Sequence, residues 1–131
     1  MVYQAGSAIA VLRDPTRGGL AATLNEIAYQ SGVGIRLHEH SLPIRPEVRG
    51  ACELLGLDPL NVANEGKLIA IVEARQADAL LDTMRQHVNG HEAAIIGEVI
   101  DDPMHLVRMV TSIGSERVID WLHGEQLPRI C

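Results

Sequence analysis

Residues 8–37, AIAVLRDPTRGGLAATLNEIAYQSGVGIRL, decide the fold. Ala8 to Leu12 is a short apolar run of strand length. It is cut at Asp14-Pro15, because the residue before a proline avoids the helical region. From Gly18 onward Leu20, Leu24, Ile27 and Ser31 recur at helical spacing, with Thr23, Glu26 and Gln30 expected on the opposite side. Gly32 and Gly34 end that helix, and Val33 to Leu37 reads as a second strand. A strand, a turn with paired glycines, a helix with one apolar stripe and another strand open a layered fold.

The rest of the chain extends this pattern. Leu42-Pro43-Ile44-Arg45-Pro46 reads as an extended connection, and Pro46 is suited to the first position of a helix. Val48, Ala51, Cys52 and Leu55 form that helix's apolar stripe, and Gly56 is its stop. Asp58-Pro59-Leu60-Asn61 is a turn, followed by the polar cluster Asn64-Glu65-Gly66-Lys67 and an apolar strand from Leu68 to Val72. Ala77, Leu80, Leu81, Met84 and Val88 define a third helix, stopped near Asn89-Gly90. Ala93 to Ile100 and Met104 to Val110 read as a hairpin around Asp101-Asp102-Pro103, and Glu116 to Trp121 as a last strand. Each helix has one stripe to bury, so the expected class is α+β, one sheet with helices packed on one face.

The 131 residues, 47% hydrophobic and 21% charged, suit one compact domain with no repeat or low-complexity block. With no Phe, one Trp and two Tyr, the core must be built from Leu, Ile, Val and Ala. A net charge of -6 argues against nucleic acid or an anionic membrane as the main partner. No signal peptide is readable at the start, and the apolar runs are too short to span a bilayer. Cys52 and Cys131 lie far apart with no C-x-x-C, which suggests a reducing compartment, the cytoplasm.

Two loops could carry chemistry. Arg13-Asp14-Pro15-Thr16-Arg17-Gly18-Gly19-Leu20 is a strand-to-helix turn whose glycines allow close backbone approach, with helix N–H groups and Arg17 available to an anion. It is neither a Walker A loop nor G-x-G-x-x-G, and helix capping by Asp14 or Thr16 is the plainer reading. In Asn64-Glu65-Gly66-Lys67, Glu65 can be a general base projected by a loop, or simply part of a polar turn beside the chain's one lysine. No metal ligands are expected. His38 and His40 have no third partner placed by the sequence, and His87 and His91 are separated by a helix break. Cys52 lies on an apolar stripe and reads as an inert core thiol. Cys131 is either an incidental terminal residue on a frayed tail or the end of an arm, Gly124 to Cys131, that could reach roughly 25–30 Å when stretched.

The pentapeptide Leu127-Pro128-Arg129-Ile130-Cys131 resembles the C-terminal signature of the HypE family of hydrogenase maturation proteins. Residues Asp14 to Ala21, Arg49 to Asp58 and Asn64 to Lys67 are similar to internal motifs of the same family. The turn Thr16-Arg17-Gly18-Gly19-Leu20 also resembles the glycine motif of the wider aminoimidazole ribonucleotide synthetase superfamily. The resemblance implies that residues 1–122 form an α+β C-terminal domain and residues 123–131 a flexible tail. It also implies a preceding domain, outside this chain, that dimerises and supplies most of the ATP and magnesium site.

The implied activity is the ATP-dependent dehydration of an S-carbamoyl group on Cys131 to a thiocyanate, the source of the cyanide ligands of nickel–iron hydrogenases. A HypF-type carbamoyltransferase would load the cysteine, and a HypC–HypD complex would accept the cyanide. On this resemblance Cys131 carries the substrate and Glu65 is the base. Thr16, Arg17, Gly18 and Gly19 cradle phosphate, and Asp14, Asn64 and Lys67 give support. The chain alone is expected to be inactive. Another ligase or kinase of the superfamily, or a non-catalytic α+β binding module, are the alternatives; neither has a use for Cys131.

Overall fold

The computed structural model of the chain describes residues 9–15, 17–62 and 67–120. Among these residues the order is β1 (Ile9–Arg13), α1 (Gly19–Ser31), β2 (Gly34–His38), a 3-10 turn (Glu39–Ser41), α2 (Pro46–Leu55), a second 3-10 turn (Pro59–Asn61), β3 (Ile69–Val72), α3 (Ala74–Gln86), β4 (Gly97–Ile100), β5 (Val107–Val110) and β6 (Glu116–Val118). The α+β class expected from the sequence is the class observed. Pro46 does occupy the start of α2, and Gly56 follows its end.

Two features of the sheet differ from the sequence reading. The strands divide into two sheets, an antiparallel β1–β3 ribbon and a four-stranded sheet ordered β4-β2-β5-β6. There is also no hairpin between β4 and β5, because β2 lies between them, antiparallel to β4 and parallel to β5. Apolar run lengths identify strands but carry no information about which edge each strand takes, and that choice was made by non-local packing. The crossing from β4 to β5 passes the start of β2 at Gly34. A Cβ built there would stand 2.5 Å from the Cβ of Asp102, so only glycine admits the buried carboxylate.

That carboxylate holds the crossing. Asp102 accepts from the backbone N–H of Met104 at 2.9 Å and of Leu106 at 3.4 Å, with the Arg108 guanidinium 3.5 Å away. The Met104 N–H is the main reason its carboxyl titrates below the ordinary aspartate range; burial opposes the shift, and the Leu106 N–H, Arg108 and His105 assist it.

One face of the four-stranded sheet forms the core. Ile35, Leu37, Val107 and Met109 meet Ala21, Leu24, Ile27 and Ala28 of α1, joined by Ile69, Leu60, Leu42 and Ile119. The alternate residues form a charged row on the other face, where Arg36 pairs with Glu98 at 3.4 Å and Glu116 at 3.8 Å. This alternation follows directly from the two-residue period of a strand. Thr23, placed on the outer side of α1 by periodicity, is instead buried and donates to the Gly19 carbonyl at 3.2 Å. In α2 the expected stripe is not buried: Cys52 is, whereas Val48, Ala51 and Leu55 are exposed.

Candidate functional site

β1 and β3 bring the end of one strand beside the start of the other. In their antiparallel register Arg13 faces Ile69. The chain leaving β1 toward the glycine turn and the chain entering β3 through Lys67 therefore share one end of the ribbon. Arg13 is held there by Glu26 of α1 at 2.8 Å. Both side chains are about 39% exposed, so this pair orients more than it stabilises.

Among the described residues, the glycine turn is set by backbone and not by side-chain capping. Gly18 is the N-cap of α1 with φ 72, and no side chain caps it; Asp14 is exposed and does not take that role. Gly19 follows with φ 67, and a Cβ on it would lie 2.5 Å from the Val62 carbonyl oxygen and 2.6 Å from that of Leu60. A side chain is thus excluded twice, by the left-handed backbone and by the chain packed against it. The backbone that excludes it is residues 60–62, directly before the Asn64–Lys67 loop. Arg17 lies exposed on the turn, and Lys67 is exposed at the entry to β3. Thr16, Asn64, Glu65 and Cys131 lie outside the described residues.

Two residues that sequence reasoning missed build the surroundings. Asp58 accepts from Leu60 N–H at 3.0 Å, which fixes the Pro59–Asn61 turn, and from Arg117 of β6 at 3.0 Å. Its Asp-Pro step was a readable turn signal, but its β6 partner was not readable. Asn25 of α1 donates to the carbonyl of Ile119 at 2.8 Å, a contact across 94 residues with no local signature. Pro59 and Leu60 of the turn also line a cavity of about 350 Å³, with Leu42, Ile44, Met109, Arg49 and Glu39 in its wall.

Among the described residues, no three His, Cys, Asp or Glu side chains converge on a point. His38 and His40 have ring centroids 5.9 Å apart, with His40 in the 3-10 turn and not on the strand. No helix among the described residues is long and apolar enough to cross a membrane. Cys52 is 6% exposed and free, as its position on the stripe predicts.

The fold, the glycine turn and the adjoining loop define a class: the chain belongs to the family of the AIR synthase related protein, C-terminal domain, whose pattern matches residues 2–109. Within that class it is similar to carbamoyl dehydratase HypE. It is 66% identical to the Cupriavidus necator protein, over 94% of this chain and 35% of that one. It is 60% identical to the Rhizobium leguminosarum bv. viciae protein, over 100% of this chain and 37% of that one. The chain therefore spans little more than a third of the curated relatives it matches. Two solved structures align closely. A HypE–HypF complex has TM-score 0.88 at 46% identity, covering 92% of this chain and 39% of that one. A hydrogenase maturation protein HypE in complex with ATP has TM-score 0.87 at 48% identity, covering 95% and 38%.

Proposed function

We propose that this chain is the C-terminal domain of an ATP-dependent carbamoyl dehydratase, which makes the cyanide ligands of nickel–iron hydrogenases from a carbamoyl group on Cys131. The observation that carries the reading is the seating of Gly19 against the Leu60 and Val62 carbonyls. That contact joins a phosphate-type turn to the chain leading into Glu65. Similarity to proteins named carbamoyl dehydratase HypE, one solved with ATP and one with HypF, supports it.

The chemistry assigns each residue a task. An amide oxygen is a poor leaving group, so the thiocarbamate oxygen first takes the γ-phosphoryl group of ATP, releasing ADP. The resulting imidate phosphate then expels phosphate, which carries the oxygen away, while nitrogen gives up its two protons and a sulfur-bound nitrile remains. Arg17 and the N–H groups following Gly18-Gly19 receive the phosphate charge, with Thr16 and Asp14 beside them. Glu65 accepts the nitrogen protons, with Asn64 and Lys67 in support. Cys131 carries the group and does not attack ATP. A preceding domain holds Mg²⁺ with most of the nucleotide, and forms the homodimer. A HypF-type carbamoyltransferase loads the arm and a HypC–HypD complex takes the cyanide, all in the cytoplasm.

Intact-mass analysis of the full-length protein with the carbamoyltransferase, carbamoyl phosphate and ATP tests this. One carbamoyl group should appear on the C-terminal peptide and then lose one water. Cys131→Ala should accept none. Glu65→Gln should load normally and dehydrate roughly 10²–10⁴-fold more slowly. Normal carbamoyl uptake by Cys131→Ala would sink the proposal.

A further inference from the structure

Asn25 sits in the middle of α1, and its amide nitrogen donates two hydrogen bonds: to Ala21 carbonyl at 2.9 Å, one turn earlier, and to Ile119 carbonyl at 2.8 Å. Both neighbours are acceptors, so only the NH₂ side of the amide suits this position. Ile119 is fixed from its other side too. Its N–H donates to Val107 carbonyl at 2.8 Å, and its side chain is buried in the core. Two residues earlier Arg117 is tied to Asp58, which holds the Pro59–Asn61 turn. The end of β6 is thus fastened to the same two elements that carry the glycine turn and lead into the Glu65 loop.

Distances along the chain give this fastening a use. From Asn25 back to Gly18 is seven residues of helix, roughly 10 Å. Twelve residues, Asp120 to Cys131, follow Ile119, a contour of at most about 40–43 Å, which exceeds that distance. For a tethered group the local concentration at the site depends on where the tether begins and how firmly it is held. A carbonyl gripped by a side chain of the site's own helix fixes that origin.

We infer that Asn25 is a positioning residue for the carrier arm: by holding the Ile119 carbonyl on α1 it registers the root of the arm with the glycine turn at the head of the same helix. The inference rests on the carrier reading of Cys131 above. It distinguishes Asn25 from a residue that merely stabilises α1, because its effect is confined to substrate delivered by the tether.

The test uses full-length protein whose accessible thiol is carbamoylated with cyanate, then mixed with ATP, with the C-terminal peptide followed by mass in a single turnover. Asn25→Ala should slow loss of water roughly 10- to 100-fold. Asn25→Asp keeps the shape but turns an acceptor toward two carbonyls, and should slow it at least as much. A carbamoylated Leu127–Cys131 pentapeptide given in trans should react equally in Cys131→Ala proteins with and without Asn25→Ala. Wild-type turnover of the tethered group in Asn25→Ala overturns the inference, and so does an equal loss in the tethered and in-trans reactions. If wild-type protein converts no tethered group at all, the carrier reading itself falls.

Discussion

Helices α1 and α2 look alike on paper and differ in the molecule. Both carry apolar residues at helical spacing and both are followed by a glycine. In α1 the stripe is real: Leu24 is 3% exposed and packs with Ile27 and Ala28 on the core face of β2 and β5. In α2 only Cys52 is buried, while Leu54 is 89% and Leu55 71% exposed. The glycine turn and the Asn25 grip both belong to the buried helix. A turn that must hold backbone N–H groups in register is best built on an element that cannot shift, and close packing supplies that rigidity. The helix at the periphery can vary without moving the site.

Substitutions can break this contrast, and Gly19→Ala is expected to have the largest effect. A non-glycine residue in the left-handed region costs about 1–2 kcal/mol. Forcing a methyl against the Leu60 and Val62 carbonyls adds about 1–3 kcal/mol. A destabilisation of about 3 kcal/mol in urea unfolding is expected; a loss under about 1 kcal/mol would mean that residues 60–62 are not firmly seated on α1. Leu24→Ala comes next, at about 3 kcal/mol, because it empties a packed site. Leu54→Ala on α2 should fall within about 0.5 kcal/mol of wild type. Similar losses for the two leucines would erase the distinction between the helices.

Cys52→Ala sharpens the contrast from within α2. It removes one buried heavy atom and should cost about 1 kcal/mol in urea unfolding. The effect expected from Asp102→Asn depends on pH. The folded carboxyl titrates below its unfolded value, so the unfolded chain binds the proton more readily and stability from this group rises with pH. The contribution is fully present above about pH 4, the unfolded value, and is lost as pH falls through the folded one. Denaturation of wild type and Asp102→Asn should therefore differ at neutral pH and converge below about pH 4. A constant gap across that range would show that the Met104 and Leu106 N–H groups do not favour the charged form.

The local reading succeeded where physics is local. The runs Ala8–Leu12, Val33–Leu37 and Leu68–Val72, read as strands, fall on Ile9–Arg13, Gly34–His38 and Ile69–Val72, and Pro46 marks the start of α2. It failed where neighbours are distant. Ala93–Val110 read as a hairpin because adjacent strands with a turn signal between them usually pair, yet β2 took the intervening place. Thr23 read as an outer residue by helical spacing, yet its hydroxyl finds the Gly19 carbonyl and so is satisfied when buried. The α2 stripe read as buried because periodicity reports an amphipathic face, not whether anything covers it.

The sequence by itself determined the α+β class, the position of the glycine turn and the two loops that carry candidate chemistry. Each follows from propensities and turn requirements confined to a few neighbouring residues. Only the tertiary structure decided that the end of β1 and the start of β3 share one end of the ribbon, that Gly19 is excluded from bearing a side chain by carbonyls some forty residues away, and that the Ile119 carbonyl is held by Asn25 on the helix the turn begins. Those are meetings of backbone carbonyls and amides across long loops. A carbonyl is present at every position, so nothing in the order of side chains marks which one will be met.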